Sequence, residues 1–114
     1  MEATQLILLY DYYGDLLTQR QRECFELRYN QDLSLGEIGQ ELGISRQGVF
    51  DNLSRTEALL INMEKKTGCV SRDLRCRKTV EQISSLAQSI LGSDTQQVRD
   101  AAEKILSLTK TLEE

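Results

Sequence analysis

One run of the chain, SLGEIGQELGISRQGVFDNLSRT at positions 34–56, leaves little freedom in how it can fold. Ser34, followed three residues later by Glu37, is the start signal for a helix over 35–42, because each side chain can satisfy a backbone N–H of the first turn. Gly43 ends that helix, since a glycine turns through positive φ without steric cost. Ser45 then caps a second helix over about 46–66. Gly39 stands in the middle of the first helix, where a small residue lets the second approach closely. Ile38, Leu42, Ile44 and Val49 supply the apolar core beneath the turn. Two short helices joined in this way, with polar side chains at the outward start of the second, make a helix-turn-helix.

The same signals divide the rest of the chain. Leu6, Leu9, Tyr13 and Leu16 repeat at helical spacing, so a helix is expected over 4–17, with Tyr10, Tyr12 and Leu17 widening its apolar face. Thr18 and Gln21 form a second capping box, opening a helix over 19–29 with Cys24, Phe25 and Leu27 on one side. Asn30-Gln31-Asp32 is a polar break. Thr67-Gly68 reads as a stop and Ser71 as the cap of a helix over 72–91. Gly92-Ser93-Asp94 stops and restarts the chain for a last helix over 95–112. Cys76, Val80, Ile83, Ala87 and Ile90 alternate at spacings of four and three, and Val98, Ala101, Ile105, Leu108 and Leu112 do nearly the same. Both are heptad-like seams, and the short connection folds them into an antiparallel hairpin. The expected architecture is all-α with about six helices: a helix-turn-helix domain over 1–67, then a hairpin over 68–114 that serves dimerisation. The seams pair either between two chains or within one.

Composition removes several classes of function. There is no histidine, and the three cysteines, Cys24, Cys69 and Cys76, form no CxxC pair. Histidine-dependent catalysis and the usual zinc sites are therefore closed to this chain, and no metal or cofactor is expected. No GxxxxGK[ST] loop is present, which removes a P-loop nucleotide site, and the remaining carboxylates and serines sit in patterns that helix capping explains, so the chain is not expected to be an enzyme. The apolar run at 6–9 is too short for a signal-peptide core or a membrane span, which gives the expectation of a cytoplasmic protein without a membrane partner.

If the motif reads DNA, its second helix enters the major groove with its first turns against base edges. The candidate contacts are Ser45 at the cap, Arg46 to guanine or phosphate, Gln47 to adenine, and Asn52 and Arg55 to backbone or base. Charge opposes this. Residues 1–67 hold seven Lys and Arg against eleven Asp and Glu, so this half carries all of the net −4, and Asp51 lies inside the reading helix. Strong non-specific binding by one copy is not expected, whereas a dimer doubles any small basic patch. Arg72, Arg75, Arg77 and Lys78, opposed only by Asp73, form a second basic patch that suits RNA or DNA phosphates.

The stretch over 17–56, within LLTQRQRECFELRYNQDLSLGEIGQELGISRQGVFDNLSRTEALL, resembles region 4 of bacterial sigma factors. It resembles more closely the YlxM family of small bacterial helix-turn-helix proteins, on the pieces DLSLGEI, SRQ-x-V-[FY]-DN and RTEALL. The resemblance implies a sigma region 4-like fold. It also implies a place in the signal recognition particle pathway, because the family's genes typically neighbour those of the particle's GTPase and its receptor. Two features depart from sigma factors. Asn52 stands where they carry an apolar residue, and Ala58-Leu59-Leu60-Ile61, a buried or partner-contacting surface, stands where basic residues usually follow. The reading is a helix-turn-helix nucleic-acid-binding regulatory protein of that pathway, with DNA or RNA, the particle's protein or RNA, and a second copy of the chain as partners. Two alternatives stay open: an accessory protein that binds the particle's GTPase or RNA without sequence-specific DNA binding, and a dimeric scaffold module.

Overall fold

Capping chemistry sets most of the helix boundaries in the computed structural model, which describes residues 1–113. Among them are six α-helices and no strand: α1 Ala3–Tyr13, α2 Gln19–Tyr29, α3 Leu35–Leu42, α4 Arg46–Thr67, α5 Cys69–Ile90 and α6 Gln96–Glu113. Thr18 with Gln21 and Ser34 with Glu37 form the two expected capping boxes, and Ser45 Oγ accepts from the Gly48 N–H. Gly43 and Gly68, both at positive φ, end α3 and α4.

The first helix is shorter than its periodicity suggests. It stops at Tyr13, and Gly14–Leu16 tighten into a 3₁₀ turn. A residue in a tighter helix rotates further round the axis. Leu16, expected on the buried face, is therefore 71% exposed, and Leu17 takes its place in the core. The start of α5 also differs. Ser71 is not its cap, because the helix begins two residues earlier. Glu64 Oε1 accepts the Val70 N–H and Thr67 Oγ1 accepts that of Cys69, so α4 itself satisfies the first donors of α5.

The chain forms two compact units, Met1–Val70 and Ser71–Glu114. In the first, Leu6, Leu9, Tyr13, Leu17, Phe25, Leu60 and Val70 make one core cluster. Tyr10 stacks on Phe25 with ring centroids 4.4 Å apart, and Phe25 meets Tyr29 at 4.5 Å. Each tyrosine hydroxyl here donates to a glutamate: Tyr10 to Glu26, Tyr29 to Glu57 and Tyr13 to Glu64. With its one proton given to Glu64, Tyr13 accepts from the Thr67 hydroxyl. The apolar edge of α1 and α2 is thus buried while each polar tip is satisfied.

In the second unit, Ser84 Oγ of α5 donates to Thr109 Oγ1 of α6 at 3.2 Å. That bond, with only residues 91–95 connecting the helices, requires α6 to fold back antiparallel to α5. The buried positions are Val80 and Ala87 on α5 and Ala102 and Thr109 on α6. The seam expected on α6 is therefore met in part: Val98 and Ile105 are half-buried, whereas Ala101 and Leu108 face outward and their neighbours Ala102 and Thr109 inward. On α5, Ile83 and Ile90 are likewise exposed, at 38% and 40%. Both helices are apolar on a wider arc than one neighbour covers, so periodicity alone could not choose which edge turns in.

Candidate nucleic-acid interface

The helix-turn-helix sits on a core of its own. Cys24, Ile38, Val49 and Leu53 are buried together, with Leu27, Leu33, Leu35, Leu42 and Ile44 packed around them. Gly39 is the point of closest approach: a Cβ there would lie 2.7 Å from the Ile44 carbonyl oxygen. The Ile44 N–H closes the turn by donating to the Gly39 carbonyl at 2.9 Å. At Gly43, φ 70° and ψ 33° place the backbone in the left-handed region, where glycine is unstrained. Arg20 of α2 reaches across to the Leu42 carbonyl at 3.3 Å, binding one of the last acceptors of α3. These contacts fix the direction in which α4 leaves the turn.

Ser45, Arg46 and Gln47 are all exposed at the start of α4, as the sequence suggested. Ser45 is committed to its cap through the 2.9 Å bond from Gly48. The Gln47 carboxamide donates to Asp51 Oδ1 at 3.0 Å, one turn on, which holds it in a single orientation. Arg55 is also exposed, two turns further along, where it borders a groove with Gln21, Ala58, Leu59 and Asn62. Asn52 differs from the other four. It is half-buried, and its Oδ1 is buried without a hydrogen-bond partner, so its carboxamide oxygen is not presented to a groove. The cause is the three-residue spacing that places it beside Val49 on the inner side of α4.

The structure adds one residue that periodicity did not single out. Phe50 is 52% exposed and, with Leu35, Arg46 and Gln47, lines a notch of about 600 Å³ between the first turns of α3 and α4. A large aromatic on the outer face of a capped helix, one turn after Arg46, was the available signal. The apolar stretch after Thr56 divides. Leu60 is fully buried and Ile61 half-buried, while Ala58 and Leu59 stay exposed.

Electrostatically the face is mixed. Asp32, Glu37, Glu41 and Asp51 are exposed on the two helices and the preceding turn. Hydrogen bonds from Ser34, backbone and then side chain, lower the Glu37 carboxyl below its ordinary value, so it keeps its charge. On α5, Arg72, Arg75, Arg77 and Lys78 are all exposed. Arg72, Arg75 and Lys78 follow at three-residue steps on one side, whereas Arg77 turns away to pair with Asp73 at 3.2 Å. Among the described residues, no three His, Cys, Asp or Glu side chains gather to hold a metal ion, and no helix is long and apolar enough to cross a membrane.

A tightly seated turn with an exposed, polar first turn of α4 defines a helix-turn-helix protein. Comparison with known proteins agrees: residues 1–108 match the family described as "UPF0122: Putative helix-turn-helix protein, YlxM / p13 like", and the chain belongs to that family. It is 38% identical over 111 residues to the UPF0122 protein of Desulforamulus reducens, covering 97% of this chain and 92% of that one. It is 51% identical over 78 residues to a UPF0122 protein of Caldanaerobacter subterraneus subsp. tengcongensis, covering 68% of this chain and 67% of the relative. A Bacillus cereus UPF0122 protein is 38% identical over 106 residues, 91% of this chain and 96% of its own.

Proposed function

We propose that the chain is a nucleic-acid-binding regulatory protein of the cytoplasm rather than an enzyme, that it works as a homodimer, and that it takes part in the signal recognition particle pathway. The observation that carries the first part is the outward presentation of Arg46, Gln47 and Phe50 over a turn that Gly39 and Gly43 hold rigidly. Arg46 matches the paired acceptors of guanine, or a phosphate. Gln47, already oriented by Asp51, matches adenine. Phe50 offers an apolar surface to a thymine methyl, Arg55 anchors the backbone, and Ser45 holds the first turn in place. Asp51 and the neighbouring carboxylates keep a single copy weak, so two copies, with their α4 helices ~34 Å apart, are needed for useful affinity. The pathway assignment rests on the resemblance alone.

The test is retention of labelled DNA duplexes, and of signal recognition particle RNA, across a salt series. Binding should weaken steeply with salt, and Arg46→Ala should lower affinity roughly tenfold to a hundredfold. Absence of both complexes at the lowest salt would falsify the reading. The exposed carboxylates of Asp32, Glu37, Glu41 and Asp51, in a half that carries the net negative charge, favour a second reading, an accessory protein that binds the particle's GTPase and leaves DNA alone. Retention of the GTPase without DNA, in the same low-salt buffer, selects it.

A further inference from the structure

We infer that a second copy of this chain docks on one outer face of the α5–α6 pair, making a four-helix bundle about a two-fold axis. This rests on the homodimer proposed above and locates its interface. Ile83, Leu86 and Ile90 on α5, and Leu108 and Leu112 on α6, are between 38% and 69% exposed. Each helix therefore carries two apolar stripes, an inner one that is buried and an outer one that is not.

The two outer stripes fall on the same side of the pair. On α5, Ile83 and Leu86 directly precede the inner Ser84 and Ala87, and on α6, Leu108 directly precedes the inner Thr109. One residue earlier is ~100° round a helix in a fixed sense. In two antiparallel helices that face each other, an equal turn of the same sense brings both stripes to one face. That face carries no charged residue at 83, 86, 90, 101, 105, 108 or 112, in a chain that is 28% charged.

The occupant follows from size and chemistry. The fully buried positions of the pair are small or polar, Val80, Ala87, Ala102 and Thr109; Leu91, Val98, Ile105 and Leu106 are half-buried, and Ile83, Leu86, Ile90, Leu108 and Leu112 stay exposed. Two helices of this length bury too little by themselves to be stable. The five exposed side chains leave roughly 500 Å² of apolar surface, comparable to the largest patch a monomer usually shows. A standard interface takes ~800 Å² from each partner, so this stripe would form the apolar centre and its polar flanks the rim. A two-fold axis sets an uncharged, aliphatic stripe against itself with no need for complementary charge. The product is the packing found in four-helix bundles.

The test is sedimentation equilibrium of the full chain over a wide concentration range. The wild type should be a dimer. Leu86→Glu and Leu108→Glu should each be monomeric, while Leu16→Glu, at a position equally exposed but in the first unit, should stay dimeric. If a glutamate variant loses helix content, Leu86→Ser decides, with a dissociation constant raised roughly tenfold or more expected. A wild-type monomer overturns both this interface and the homodimer reading. A wild-type dimer that no α5 or α6 variant weakens overturns the interface alone.

Discussion

Gly39→Ala tests whether the close approach at the turn, rather than helix propensity, holds the helix-turn-helix together. The new methyl would sit 2.7 Å from the Ile44 carbonyl oxygen, with the Arg46 nitrogen at 3.5 Å. That neighbour is backbone and cannot swing aside, so α3 and the turn must separate by about half an ångström. Overpacking of this kind costs about 1–3 kcal/mol. Alanine returns up to about 1 kcal/mol through its better helix propensity. The net expectation is a loss of about 1–2 kcal/mol, or roughly 8 °C in Tm for a unit of this size. Gly36→Ala, on the same helix, is the control. Its added Cβ meets nothing nearer than Ser34 Oγ at 4.0 Å, so it should be neutral or stabilising by a few tenths to ~1 kcal/mol. Urea unfolding followed by tyrosine fluorescence reads the first unit alone, because all four tyrosines lie in α1 and α2. The midpoint should fall for Gly39→Ala at unchanged slope, and hold or rise for Gly36→Ala. A Gly39→Ala protein as stable as wild type would refute the close-packing argument, and so would a loss shared equally by Gly36→Ala.

Other expectations follow from the same contacts. Burial, followed by the hydrogen bonds to Glu57 and Glu26, pushes the Tyr29 and Tyr10 phenols up to about 12 from 10.0. A phenol that holds its proton more tightly when folded contributes its full stability below pH 10 and loses it as pH climbs toward 12. The urea midpoint should fall over that window, less steeply in Tyr29→Phe; an identical pH profile in the variant would argue against the Tyr29–Glu57 bond. Burial also raises the Cys24 thiol, whereas Cys69 is exposed, so a thiol reagent should label Cys69 at once and Cys24 only on unfolding. Rapid native labelling at Cys24 would contradict the packing beneath α3 and α4. Ser34→Ala and Ser45→Ala each remove a cap whose Oγ accepts a backbone N–H, and each should lower stability by ~1 kcal/mol in the same urea assay. No change in either variant would mean that water replaces the cap.

The sequence by itself determined the helix-turn-helix, because its determinants are local. Thr18 with Gln21, Ser34 with Glu37, Gly43 and Ser45 act on backbone groups within four residues, so their spacing is legible in one dimension. It also placed Arg46 and Gln47 on the outer first turn of α4, since a capped helix start above buried Val49 can face only one way. What the sequence left open was decided between segments far apart in the chain. The early end of α1 exchanged Leu16 for Leu17 in the core. Tyr13 found Glu64 fifty-one residues on, and Glu64 in turn opened α5 ahead of Ser71. Asn52 turned inward and Phe50 outward, within one apolar-polar pattern that allowed either. On α5 and α6 the apolar arc is wider than one neighbour can bury, so Ser84 meeting Thr109, twenty-five residues away, selected the inner edge and left Leu86 and Leu108 outside. Periodicity specifies that a helix has an apolar side; only a packed neighbour specifies which residues of that side lose their water.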